Sequence, residues 1–122
     1  MLIALWIVNA ILGLAFLAFG LMKVIRPKQA LYDNGLTWTE DFSAGAVKAI
    51  GVLEAVGALG LVLPLATGIA PILTPLAAVG LAIVMIGAVV VHVRKKEGAV
   101  PAIVLAILSI VSAVLGFLVV LG

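Results

Sequence analysis

Four long apolar stretches, about Leu2–Ile25, Ala44–Leu63, Ile72–Val93 and Val100–Leu121, fill most of the chain. Each reaches the length of about 18 or more apolar residues that reads as a membrane-spanning helix. The polar positions inside them are few and spaced. In the first stretch Trp6, Asn9, Gly13, Phe16, Gly20 and Lys23 recur at spacings of 3, 4, 3, 4 and 3. That is one stripe along one helix face. Lipid offers no hydrogen bonds, so such a stripe turns towards protein, and its glycines permit close helix approach. In the second stretch Glu54 shares a face with Ile50, Gly51, Gly57, Ala58 and Leu61, a surface rich in small residues and therefore internal. The pattern predicts an all-α bundle of four transmembrane helices in a single domain, residues 1–122.

Charge orients the bundle. All seven Lys and Arg residues fall in two clusters: Lys23, Arg26, Lys28 and Lys48 around the first connection, and Arg94, Lys95 and Lys96 in the third. The second connection, Pro64 to Pro75, and both termini carry none. Positive residues near span ends stay cytoplasmic. Both termini are therefore expected on the non-cytoplasmic side of a bacterial cytoplasmic membrane, with the basic loops inside. The first span lacks a basic leader and is too long for a signal-peptide core, so it is expected to be retained.

Composition narrows the chemistry. The chain is 66% hydrophobic and 10% charged, with a mean hydropathy of +1.48, more apolar surface than a soluble domain of this size can hide. Its pI of about 9.3 comes from the basic loops, which argues against a nucleic-acid partner. With no cysteine, thiol–disulfide chemistry, thiolate metal sites and iron–sulfur clusters are excluded within the chain. With one histidine, it cannot hold a haem between two of its own imidazoles. No metal site and no covalently bound cofactor are expected.

The connections carry further signals. In Arg26–Ser43, Asp33-Asn34-Gly35 is a turn signal, and Thr39 followed by Glu40 and Asp41 resembles a helix start. Tyr32, Trp38 and Phe42 suit an interfacial layer. This segment reads as an aromatic-anchored surface loop, or as a flap over a site. The three prolines and Gly68 of Pro64–Pro75 read as a short, tight turn.

The ionisable residues inside the spans are the candidate site. Glu54 lies roughly ten residues into its helix, or ~15 Å deep, near the middle of a ~30 Å hydrocarbon core. A carboxylate there costs roughly 2.5–3.5 kcal/mol or more unless paired or protonated. Lys48 is ~9 Å away along the same helix and about 120° around it, a poor intrahelical partner. Its long stem can bend towards a shared cavity or reach the surface. His92 ends the third span on a stripe with Met85, Ala88 and Val89, level with Lys23 and Lys48. One reading pairs Glu54 with a lysine of span one or two and so fixes helix register. The other makes Glu54, Lys48, Lys23 and His92 a ligand-binding or proton-relay site. Asn9 reads as an interhelical hydrogen bonder, and Ser109 and Ser112 as satisfying backbone carbonyls.

Gly20-Leu-Met-Lys23 and Lys48-Ala-Ile-Gly-Val-Leu-Glu54, followed by Gly57-Ala-Leu-Gly60, the proline turn and His92-Val-Arg94, give the chain an order of features that resembles the DoxX and DoxX-like family of small four-helix membrane proteins. The resemblance implies a membrane subunit rather than an independent enzyme. Members resemble a subunit of an archaeal thiosulfate:quinone oxidoreductase and a mycobacterial membrane partner of superoxide dismutase and a rhodanese-like enzyme. Three functions follow as expectations: a quinone-interacting or anchoring subunit of a membrane oxidoreductase, a non-catalytic binder or carrier of a small lipophilic molecule, and a scaffold. Expected partners are membrane lipid, a second copy or a redox protein, and the lipophile. Quinone is the candidate cofactor, its carbonyls met by Lys23, Lys48 and His92 and its protons relayed by Glu54.

Overall fold

The computed structural model describes residues 1–33, 42–96 and 98–122, with the backbone alone at Lys28 and Tyr32. It contains α1 (Leu2–Ile25), α2 (Lys28–Asp33), α3 (Ala44–Thr67), α4 (Leu73–Arg94) and α5 (Val100–Leu121). Four of these, α1, α3, α4 and α5, are long and apolar enough to cross a membrane. Each packs on its neighbour in sequence, and α5 closes the ring on α1. Neighbours run antiparallel. Asn9 meets Leu61 while Lys23 meets Glu54, and Gly60 faces Ala77 while Gly57 faces Leu81. This order gathers Lys23, Arg26, Lys28, Lys48, Arg94, Lys95 and Lys96 at one end of the bundle, here the basic end.

The stripe read from α1 is the buried one. Asn9, Gly13, Phe16, Gly20 and Lys23 are all inside, and Trp6 is half-buried. Leu12, Phe16, Leu61, Ala78, Leu81 and Met85 form the middle of the core. Ile7, Leu14, Val56, Ile86, Ile107 and Val114 are exposed on the outside, as a lipid-facing surface requires.

Two boundaries differ from expectation. The proline-rich segment is mostly helix. α3 continues through Pro64 to Thr67, and Gly68 ends it in the left-handed conformation at φ 73° with its N–H on the Pro64 carbonyl at 3.0 Å. A proline this near the C-terminus removes one intrahelical bond, while stopping early would leave several backbone groups unpaired. Pro75 sits in the first turn of α4, where a missing N–H has no consequence. The turn itself is only Gly68–Ile72.

The first connection contains a helix that was not expected. Gln29 donates to Asp33 at 3.0 Å along α2. Leu31 is fully buried against Val47, with Met22, Phe42, Ile50 and Val91 around it. α2 thus tucks one apolar side chain under the basic end. Ser43 caps α3, its hydroxyl accepting from the Ala46 N–H at 3.1 Å. The expected helix start at Thr39–Asp41, the Asn34-Gly35 turn, Trp38 and the Tyr32 side chain lie outside the described residues and side chains.

Candidate functional site

The site begins with two glycines. A Cβ on Gly20 would lie 2.6 Å from the Gly51 carbonyl oxygen and 2.7 Å from the Ala55 nitrogen. A Cβ on Gly51 would lie 2.7 Å from the Gly20 oxygen and 2.8 Å from Cβ of Lys23. α1 and α3 therefore touch backbone to backbone. Because they are antiparallel, the space a side chain at Gly51 would fill is taken by the stem of Lys23. That stem runs away from the basic end, and its ammonium donates to Glu54 Oε1 in a buried ion pair. Glu54 is 1% exposed and the Lys23 side chain 11%. A lysine near a span end ordinarily extends towards headgroups. Here it extends inward to neutralise a carboxylate that would otherwise be stranded at depth.

The ion pair faces a cavity of about 830 Å³. The half of the bundle away from the basic end is closed by interhelical contacts: Gly57 on Leu81, Gly60 on Ala77, and Gly116 on Pro75. In the basic half the α1/α3 pair stands apart from α4/α5, and the cavity lies between them. Its walls are apolar, with Ile50, Val84, Met85, Val91 and Leu105 among them and Phe42 at the basic end. Lys23, Glu54 and His92 are its ionisable lining residues. This volume lies within the ~300–1,000 Å³ typical of small-molecule sites, which combine apolar walls with a few polar groups.

Three of the four candidate residues are thus brought together. Lys48 is placed elsewhere: it is exposed, does not line the cavity, and donates to the Val24 carbonyl at 2.7 Å. There it satisfies a carbonyl at the C-terminal end of α1, where a positive charge is also favoured by the helix dipole.

A second polar cluster lies in the opposite half. Asn9, fully buried, donates through Nδ2 to the Leu61 carbonyl at 2.8 Å and accepts at Oδ1 from the Ser112 hydroxyl at 2.5 Å. It therefore joins α1, α3 and α5, the interhelical role expected of it. Ser109 bonds the Leu105 carbonyl at 2.7 Å as expected, whereas Ser112 bonds Asn9 rather than its own helix. Thr74 is fully buried at that end, and its hydroxyl has no hydrogen-bond partner among the described residues.

Phe42 belongs to the segment read as an aromatic-anchored surface loop or a flap over a site; sequence reasoning missed the α5 wall, Pro101, Ala102 and Leu105. No local polarity marks them; they line the site because the helix pairs diverge. No group of three or more His, Asp or Glu side chains able to hold a metal occurs among the described residues. The cavity suits a lipophilic molecule with a small polar head. The Lys23 ammonium can donate to such a head, Glu54 accept from it, and His92 do either.

Fold and site together define a four-helix integral membrane protein with an ion pair facing an apolar cavity. The model of the DoxX-like family matches residues 7–116, and the chain belongs to that family. No curated protein and no solved structure matches it.

Proposed function

We propose that this DoxX-like protein is the quinone-interacting or anchoring subunit of a membrane oxidoreductase system, with its basic end in the bacterial cytoplasm. The observation that carries this reading is the Lys23–Glu54 pair set in the wall of an apolar cavity beside His92. A quinone ring has two carbonyls that need donors and flat apolar faces that need apolar walls, and the cavity supplies both. Quinone chemistry consumes protons as well as electrons. In this reading Lys23, Glu54 and His92, which line the cavity, hold and pass protons at the ring, and the electrons come from a partner redox protein.

Buried ion pairs are a poor investment for stability alone, since well-packed apolar replacements are often as good or better. A pair that also borders a cavity has a second use. The same geometry supports a non-catalytic binder or carrier of another lipophile. The scaffold reading draws less support, because Gly13, Gly20, Gly51 and Gly57 are taken up by contacts within the chain's own bundle.

Native mass spectrometry with lipid extraction, comparing wild type with Glu54→Gln, tests the proposal. The expected result is a co-purifying quinone in the wild type that is lost from a folded mutant. A different lipophile lost in the same way would favour the binder. A ligand-free wild type that retains a protein partner in both forms would overturn the site and return the scaffold.

A further inference from the structure

The cavity does not stop at the bundle surface. Ile83 lines it yet is 65% exposed, and Gly87, one turn nearer the basic end, both lines it and is exposed. Both lie on the outer flank of α4, across from Ile50 and Glu54 of α3. The α3–α4 seam is closed further out by Gly57 on Leu81 and Gly60 on Ala77, and it is open below them. The cavity therefore has a side opening onto the surface that faces lipid.

Gly87 sits in that opening. A Cβ there would meet nothing within 4 Å. Glycine in a helix interior is destabilising relative to alanine, and in membrane helices it usually serves close helix packing. A Cβ at Gly87 would meet no other helix among the described residues. The space it leaves is the gap between the cavity and the bilayer.

We infer that the ligand is a long-tailed lipophile that reaches the site sideways from the bilayer, its polar head at Lys23 and Glu54 and its hydrocarbon tail leaving between α3 and α4 across Gly87. This rests on the cavity being a ligand site, as proposed above, and adds the class of ligand and the residue that selects it. A tailless molecule needs no such passage. A molecule whose tail outgrows the cavity keeps part of itself in lipid, and the opening at Gly87 gives that tail a way out.

The test compares two probes: a benzoquinone carrying a long isoprenoid tail, and the same ring with a methyl group in its place. Each is titrated against the full chain in lipid nanodiscs for wild type, Gly87→Leu and Gly80→Leu. Gly80 is exposed on the same helix, with open space at its Cβ, and does not line the cavity. A melting curve and the subunit mass are recorded for each protein. In Gly87→Leu the tailed probe should weaken by at least about tenfold while the methyl probe stays within about twofold. Gly80→Leu should change neither. Equal tailed-probe affinity in wild type and Gly87→Leu would overturn the side passage and leave the site standing. So would equal weakening of both probes. A change of subunit mass with unchanged affinity would reassign Gly87 to a contact between copies. Failure of both probes to bind wild type would overturn the site reading and this inference together.

Discussion

Replacing the Lys23–Glu54 pair tests whether it is kept for stability or for the cavity. Lys23→Met removes the ammonium but keeps most of the stem that lies against Gly51. It leaves Glu54, 1% exposed, without that partner. Breaking a buried pair from one side costs about 3–5 kcal/mol, and a carboxylate deep in the membrane about 2.5–3.5 kcal/mol. The overlap, about 3 kcal/mol, corresponds to roughly a hundredfold shift in the unfolding equilibrium. Glu54→Leu, leaving the lysine buried, should lose a similar amount. The double variant removes both charges and keeps similar volumes. Its stability should return to within about 1 kcal/mol of wild type, since apolar replacement of a buried pair is often neutral or stabilising. The assay is equilibrium unfolding in mixed micelles, followed by tryptophan fluorescence, on all four proteins. The double variant should fold like wild type and retain no lipophile. If Lys23→Met unfolds at the wild-type midpoint, the pair is not a buried, coupled one. If the double variant is as unstable as either single, the pair is structural and its place in the cavity wall is incidental.

Three further outcomes follow from the packing. Gly20→Ala and Gly51→Ala each place a Cβ under 3 Å from helix backbone and should lower the melting temperature sharply, whereas Gly13→Ala, whose Cβ would lie 3.5 Å from Val62, should be tolerated. Double-mutant cycles of Asn9→Ala with Ser112→Ala should give a coupling of about 0.6–1.7 kcal/mol, the range of membrane interhelical hydrogen bonds; zero coupling would remove the α1–α5 link. Because the chain has no cysteine, Ile69→Cys and Gly98→Cys report sidedness directly. A membrane-impermeant maleimide should label Ile69→Cys in intact cells and Gly98→Cys only after lysis, and the reverse pattern would invert the orientation proposed from the basic loops.

The spans were legible because apolar runs and the 3–4 spacing in α1 are local properties of the chain. Glu54 was also legible, since a carboxylate at that depth has no ordinary explanation. Its partner was not. Lys23 and Lys48 lie at similar depths, and only the antiparallel pairing of α1 with α3 decides between them: Gly51 leaves room for the stem of Lys23, and Lys48 reaches the Val24 carbonyl instead. Pro64 misled because the local rule that proline ends a helix yields where unpaired backbone is more costly than one lost bond. α2 escaped notice because its six residues are too short for a periodicity to register. Ser112 was read as satisfying a backbone carbonyl because its partner Asn9 is 103 positions away in sequence.

The cavity was the least legible feature, and the reason bears on function. It arises from the way the two halves of the bundle are held. The half away from the basic end is fastened by neutral contacts among three helix pairs and by the Asn9 bonds. In the basic half the close backbone approach is between α1 and α3, where Gly20 and Gly51 meet. The charged pair rides on that approach, so its position is set by the most tightly fitted seam in the molecule. α4 and α5 are free to stand off without disturbing it. A ligand site needs polar groups fixed to a fraction of an ångström and apolar walls with space between them. This bundle separates the two tasks. It assigns the Lys23–Glu54 pair to the α1–α3 seam, and His92 with most of the apolar wall to α4 and α5. Substitutions in the α4–α5 wall should therefore change which molecule is bound, and substitutions at the glycine seam whether the site exists at all.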